Sequence, residues 1–191
     1  MLKQIMCFLS LAGTALIISG LLIKSAGSSG TAKRIKNNVI TFQELLHRVT
    51  EYKVIAVPLN FISKDKKYLA AGSLDDIIRI WDLDKNKLFN QLVGHAGDVY
   101  SVKFSNNGNY LISGSEDGTI KIWDIETGKE LKTIIAHKDA INSVDISFDD
   151  KYIVSGSSDK SIKVLEFSSG KVIQTLQGHT SNVKAVCFTK D

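Results

Sequence analysis

The feature that most constrains the fold of this chain is a sequence pattern that repeats at a fixed interval. The stretch from Gly94 to Asp124 recurs 42 residues later, with Ala136 in place of its first glycine. The same interval separates three histidines, His95, His137 and His179. A fixed period of this length is typical of a stacked or radial array of one supersecondary unit. We therefore expect repeated units rather than a single irregular core.

Each repeat contains short β-branched runs that are separated by turn signals. In the best-defined repeat, Asn107-Gly108, Asp117-Gly118 and Thr127-Gly128 divide the sequence into four runs, which predict an antiparallel meander. The predicted strands are Val99 to Phe104, Tyr110 to Gly114, Thr119 to Asp124 and Glu130 to Ile135. Four strands every 42 residues is the spacing of a propeller blade.

The residues that recur with this period make the chain similar to the WD-repeat (WD40) β-propeller family. The similarity is carried by Gly94-His95, Ser113, Asp117, Ile122-Trp123-Asp124, His137, Ser155, Asp159 and Gly178-His179. It covers about residues 54–191 and implies an all-β fold, a partial propeller of four-stranded antiparallel blades around a central channel. The blades are expected at about 54–92, 99–135 and 141–176, and residues 183–189 are expected to supply the innermost strand of a fourth.

The resemblance also implies a polar network within each blade, in which Asp bonds His, His bonds Ser, and Ser bonds the Trp indole. A histidine, serine and aspartate together would also suit an acyl-transfer triad, but these residues repeat blade after blade, whereas an active site occurs once. We therefore predict a structural role for the set. Its members are His95, Ser113, Asp117, Trp123, His137, Ser155, Asp159, Asp75 and Trp81.

Two blades depart from this pattern. Leu165 stands where blade three should have Trp, so it cannot donate a hydrogen bond to Ser155. Blade one has Ala71 in place of Ser and Lys53 in place of His, so we expect its network to be broken. Pro58 lies in the expected innermost strand of blade one, where it would remove a ladder donor.

The family places partner-binding residues on the face where the innermost strands begin. Tyr100 is the most suitable candidate, because an aromatic side chain on a polar rim supplies contact area at low entropy cost. An ordinary strand tyrosine is the alternative. The candidate set is Asp98, Tyr100, Glu116, Ala140, Asn142, Ser158, Asn182 and Lys184.

The N-terminal stretch from Ile5 to Ile23 contains no charged residue. As a helix it would span about 28 Å, close to the hydrocarbon thickness of a bilayer. We predict a single-pass anchor over residues 1–24, with the repeats on the cytoplasmic side because basic residues follow the stretch. A cleaved signal and a buried helix are alternatives. A basic Gly/Ser linker at 25–53 is expected to contain a short amphipathic helix at about 42–51.

Charge and motif content argue against several functions. Beyond residue 37 the chain has nineteen basic and twenty acidic residues, so the repeat region lacks the excess of basic residues that nucleic-acid binding needs. Cys7 and Cys187 leave the redox compartment open. A Gly-rich phosphate loop and metal-ligand spacing are both absent from the sequence. We therefore expect no catalytic residue, cofactor or metal.

These observations predict a non-enzymatic, membrane-tethered scaffold that binds other proteins. A secreted or periplasmic propeller after signal cleavage, either ligand-binding or enzymatic, is the alternative, and a fragment of a larger WD40 protein is another. Three blades and one strand are fewer than the four to eight that usually close a propeller. Closure by a homodimer, closure by a separate partner chain and truncation therefore all remain open.

Overall fold

The computed structural model describes residues 62–189 and the backbone of two short strands in the N-terminal stretch. β1 (Leu16–Ile18) and β2 (Leu21–Ile23) pair antiparallel, so these six residues are strand where the sequence predicts helix. Short runs of leucine and isoleucine occur both in strands and in helices. The rest of the predicted anchor at 5–23, the helix at 42–51 and Pro58 lie outside the described residues. Within the described part, no helix has the length and apolar character needed to cross a bilayer.

The chain divides into two compact units, Met1–Arg48 and Val49–Asp191. In its described part, the second unit consists of three antiparallel sheets, which we call blades one, two and three, and in each the strands follow chain order. Blade one contains β3 (Tyr68–Ala71), β4 (Ile77–Asp82) and β5 (Lys87–Val93). Blade two contains β6 (Val99–Phe104), β7 (Tyr110–Ser115), β8 (Thr119–Asp124) and β9 (Glu130–Ile135). Blade three contains β10 (Ile141–Ile146), β11 (Tyr152–Ser157), β12 (Ile162–Glu166) and β13 (Val172–Leu176).

The blades stack face to face, so their central strands are buried on both sides. All residues of β7 except Tyr110 are buried, whereas the outermost strand β9 has no fully buried residue. Two apolar clusters fill the space between blades. The first joins Ile78, Ile80 and Leu92 of blade one to Val99, Val102 and Phe104 of blade two. The second joins Ile112, Ile120 and Ile122 of blade two to Ile141, Val144 and Ile146 of blade three.

Glycines in the second strands of blades two and three let the segment that follows each blade approach closely. A Cβ atom on Gly114 would lie 2.6 Å from Ile141 Cγ2, and one on Gly156 would lie 2.6 Å from Val183 Cγ1. Such contacts are too short for real carbon atoms, so these positions require glycine as long as the blades keep their spacing. The same repeat therefore sets both the strands and the distance between blades.

A β-bulge occurs at the start of the innermost strand in blades two and three. The β6–β7 register passes from Val99 to Ser101 and leaves Tyr100 without a partner across the ladder. The β10–β11 register likewise passes over Asn142. A bulge redirects a side chain out of the regular alternation and is common next to functional sites.

The predicted strand at 183–189 is not a strand in the structure, although the segment lies along β10. Val183 is buried, and Val186 N–H donates to Ser143 Oγ at 3.2 Å. Phe188 N–H donates to Asp145 Oδ2 at 2.8 Å. These bonds go to side chains, and within the described residues no strand pairs with the other edge of the segment. The segment therefore has the position of an innermost strand without a ladder.

Candidate functional site

Four side chains of blade two form a continuous hydrogen-bonded chain. His95 Nδ1 lies 2.8 Å from Asp117 Oδ2, and His95 Nε2 lies 2.7 Å from Ser113 Oγ. The Trp123 indole donates to the same Ser113 oxygen at 2.8 Å. Because an ionised carboxylate can only accept, His95 Nδ1–H donates to Asp117. The Nε2 atom of the neutral ring then accepts the Ser113 hydroxyl proton, and Ser113 Oγ accepts the indole N–H. This hydrogen-bonded network ties the loop before β6 to β7 and β8.

The titratable groups of this network, His95 and Asp117, keep one protonation state near neutral pH. Burial lowers the pKa of His95, although the Asp117 carboxylate opposes this shift. Burial alone would raise the pKa of Asp117, but hydrogen bonds from Ala96 N–H, Thr119 and His95 outweigh it and lower the pKa to about 2. The network therefore contains a neutral imidazole beside an ionised carboxylate, with each polar atom bonded.

Blade three repeats the network without its tryptophan. His137 Nδ1 lies 2.9 Å from Asp159 Oδ2, and Nε2 lies 2.8 Å from Ser155 Oγ. Leu165 is fully buried at the tryptophan position and offers no donor to Ser155. Burial lowers the pKa of His137. The blade keeps its apolar packing but has one hydrogen bond fewer than blade two.

Blade one replaces the network with an ion pair that sequence reasoning did not identify. Arg79 is buried and donates two hydrogen bonds to Asp75, Nη1 to Oδ1 at 3.0 Å and Nη2 to Oδ2 at 2.7 Å. The hydrogen bonds from Arg79 lower the pKa of Asp75 to about 2. Trp81 and Ala71 are buried, and Lys53 lies outside the described residues. The sequence signal that could have found this ion pair is an aspartate in a tight β-turn, four residues before an arginine.

Geometry argues against acyl transfer by the His–Ser–Asp sets. The side chain of His95 is fully buried, and Ser113 is also fully buried beneath the neighbouring blade. A substrate carbonyl could not reach the Ser113 hydroxyl, and the arrangement occurs in two blades. Among the described residues, no group of three or more histidine, cysteine or carboxylate side chains is arranged to hold a metal ion.

The exposed ends of the innermost strands carry the candidate partner-binding residues. We call these residues the rim, which consists of Asp98, Tyr100, Glu116, Ala140, Asn142, Ser158, Asn182 and Lys184. In blade two, Glu116 N–H donates to the backbone oxygen of Asp98 at 2.8 Å, which brings both acids beside the bulged Tyr100. Burial, followed by the charges of Glu116 and Asp98, raises the pKa of Tyr100. A half-buried phenol thus lies near two carboxylates.

The blade-three part of the rim is polar and internally bonded. Ser158 N–H donates to Ala140 O at 2.8 Å, repeating the blade-two arrangement. The bulged Asn142 donates to Ser158 Oγ at 3.0 Å and to Val183 O at 3.0 Å. Asn182 also donates to Ser158 Oγ, at 3.2 Å. Lys184 is exposed two residues later.

A clamp between blades two and three lies at the opposite end of the sheets, and sequence reasoning missed it. Asn106 donates through its backbone N–H to Asp150 Oδ1 at 2.7 Å and through its side chain to Ser147 O at 3.0 Å. Asn107 N–H donates to Asp150 Oδ2 at 2.9 Å. Nothing in the repeat pattern marks this pair, because no equivalent of it occurs 42 residues away.

Comparison with known proteins relates these features to a repeat family. The family model described as "WD domain, G-beta repeat" matches residues 47–82, 86–124, 128–165 and 170–191, which together are more than half of the chain. Over 42 residues the chain is 45% identical to the general transcriptional corepressor TUP1 of Saccharomyces cerevisiae. This alignment covers 22% of the chain and only 6% of the length of the yeast protein.

Proposed function

Because this chain belongs to the WD40-repeat family, we propose that it is a non-enzymatic scaffold that binds other proteins through the rim. WD40 repeats imply a role in protein interaction. The observation that carries the proposal is the bulge at Tyr100. The bulge leaves Tyr100 without a partner across the strand ladder, and two acidic residues lie near its phenol.

The polar networks support this function by holding the rim still. The Asp117 carboxylate accepts the N–H groups of Ala96 and Thr119, at 3.0 and 2.8 Å, and so ties the loop before β6 to the turn that contains the rim residue Glu116. A rigid rim loses little conformational entropy when a partner binds. An aromatic anchor flanked by polar groups is also the kind of residue that dominates protein interfaces.

Affinity capture with the full-length chain tests the proposal. The rim variant combines Asp98→Ala, Tyr100→Ala and Glu116→Ala. A control variant changes two acids and one tyrosine at the opposite end of the sheets, namely Asp84→Ala, Glu126→Ala and Tyr152→Ala. We expect proteins captured by the wild type and the control to be lost from the rim variant. Equal capture by the wild type, the rim variant and the control variant would show that the rim does not bind these proteins.

We further propose that residues 5–23 tether the scaffold to a membrane, with the repeats in the cytoplasm. The uncharged stretch and the basic residues Lys24, Lys33, Arg34 and Lys36 support this proposal. The alternative is a secreted or periplasmic propeller. A reporter fused to the C-terminus separates the two, because activity only of a periplasmic or lumenal reporter would contradict the cytoplasmic scaffold.

Completion of the ring by a homodimer or by a partner chain is also a proposal. It is supported by the outer face of blade three, where Ile162 and Val164 are partly exposed while the equivalent Ile120 and Ile122 of blade two are buried. Sizing of the detergent-solubilised protein tests it, since a well-folded monomer would exclude both assemblies.

A further inference from the structure

Five lysines lie together at the end of blade one that is opposite to the rim. Four of them occupy the turn before β3 and the turn between β4 and β5, the fifth begins β5, and all five are exposed. Leu83 N–H donates to Lys67 O at 2.8 Å, which holds the two turns side by side. We call this set the lysine patch, which consists of Lys64, Lys66, Lys67, Lys85 and Lys87.

The repeat shows that this charge is specific to blade one. The equivalent positions of blade two are Asn106, Gly108, Asn109, Thr127 and Lys129, with one lysine. Those of blade three are Phe148, Asp150, Lys151, Ser169 and Lys171, with two lysines. Because the same strands and turns form in all three blades, the backbone does not require lysine at these positions.

The lysine patch remains positive when its neighbouring carboxylates are included. Asp65 and Asp84 lie in the same two turns, and the buried Asp82 has an oxygen 3.3 Å from Lys85 Nζ. The Lys85 side chain is still 62% exposed. In the part of the chain that the structure describes, Lys64, Lys66 and Lys87 have no carboxylate oxygen within ion-pair distance. Their ammonium groups are available to an external anion.

The type of charge indicates the type of anion. The patch contains lysine and no arginine, and lysine provides compact, strongly hydrated point charges rather than a planar fork for bidentate recognition of one phosphate. Such charges suit diffuse attraction to a surface of many anionic groups. The chain also contains the uncharged apolar stretch 5–23, a second and independent feature that points to lipid. We propose that the lysine patch binds the anionic headgroup surface of a lipid bilayer.

This inference rests on the proposed membrane tether and not on the rim, and it predicts a contact separate from insertion of the apolar stretch. The patch lies on the first blade after the N-terminal segment, and the basic residues Lys33, Arg34 and Lys36 precede it in sequence. Binding through the patch would turn the end of blade one toward the bilayer. The rim, at the other end of the sheets, would then face away from the lipid and toward soluble partners.

Vesicle binding by the full-length chain tests the inference. We compare vesicles of phosphatidylcholine alone with vesicles that also contain phosphatidylserine, and take the ratio of the two Kd values. The apolar stretch meets the same hydrocarbon in both vesicles, so its contribution cancels in the ratio. The patch variant is Lys64→Gln, Lys66→Gln and Lys85→Gln. The control variant, Lys138→Gln, Lys160→Gln and Lys184→Gln, removes the same charge from exposed positions at the rim end of the blades, which the proposal turns away from the lipid.

Each basic residue near an anionic surface strengthens binding about fivefold at low ionic strength. We therefore expect the preference of the wild type for phosphatidylserine vesicles to fall by up to about a hundredfold in the patch variant, and to change little in the control variant. The preference of the wild type should also weaken as salt is added.

Three results would overturn the inference. The first is a wild type that shows no preference for anionic vesicles, a result that needs no variant to fold. The second is an equal loss of preference in the patch and control variants. The third is tighter binding of the wild type to duplex RNA than to anionic vesicles at matched phosphate concentration, lost in the patch variant.

Discussion

Removal of the Ser113 hydroxyl should destabilise the protein more than the same change at Ser155. In blade two, the oxygen of Ser113 is bonded to both the Trp123 indole and the His95 ring. In blade three, Ser155 is bonded to His137 at the equivalent position, and Leu165 supplies no second donor. The two serines are both fully buried, so their side chains differ mainly in the number of bonded partners.

The magnitude follows from the number of groups left without a partner. A buried polar group that loses its hydrogen bond costs about 1–3 kcal/mol. Ser113→Ala leaves two such groups, so we expect a loss of about 2–5 kcal/mol in the free energy of unfolding. Ser155→Ala leaves one, with an expected loss of about 1–3 kcal/mol. The difference of about 1–2 kcal/mol is the contribution of the indole bond.

Urea unfolding followed by tryptophan fluorescence measures both variants, with the full-length chain in a mild detergent. With m at about 2 kcal/mol per molar urea, the middle of the range for small proteins, the midpoint of Ser113→Ala should lie roughly 0.5–1 M below that of Ser155→Ala. An equal loss in the two variants, or a larger loss for Ser155→Ala, would refute the reasoning that the indole bond distinguishes the blades.

Three further predictions concern pH, blade one and the C-terminal segment. Burial lowers the pKa values of His95 and His137 from 6.5, so the unfolded chain takes up protons first, and the free energy of unfolding should fall as pH decreases from about 7 to 5. The His179→Gln variant, changed at an exposed position, should show the same dependence of the free energy of unfolding on pH. A free energy of unfolding that does not change with pH would contradict buried neutral rings. Asp75→Asn removes a charged partner of Arg79 and should cost about 1–2 kcal/mol because Asp75 is partly exposed, whereas the exposed Glu126→Gln should change the urea midpoint little. Gly156→Ala places a methyl group against Val183 and should speed tryptic cleavage after Lys184; unchanged cleavage would show that the segment does not rest on β11.

The fold of blades two and three could be predicted because two independent signals agree there. The period of 42 residues places the turns, and in blade two the β-branched runs between them place the strands within one residue of their observed ends. The histidine, serine and aspartate positions also follow from the period, because the network is local to one blade. The predicted strand at 183–189 is absent from the structure because a strand needs a ladder partner, and within the described residues no strand pairs with this segment.

Interactions that break the repeat could not be predicted in the same way. The Asn106–Asp150 clamp joins different blades and has no equivalent one period away, so nothing in the pattern marks it. The Arg79–Asp75 pair occupies a blade in which the expected network residues are missing. The rim residues were assigned by resemblance, and the bulge at Tyr100 became visible only in the strand register.

A photo-crosslinking amino acid placed at a single position tests the central claim most directly. The residue is introduced at Tyr100 on the rim and, as the control, at the exposed Asn107 at the other end of the same blade. Cells expressing each full-length protein are irradiated, and the covalent adducts are compared on gels and by mass spectrometry. The scaffold account predicts discrete protein adducts from position 100 and few or none from position 107. Equal adducts from both positions, or adducts from position 107 alone, would contradict it.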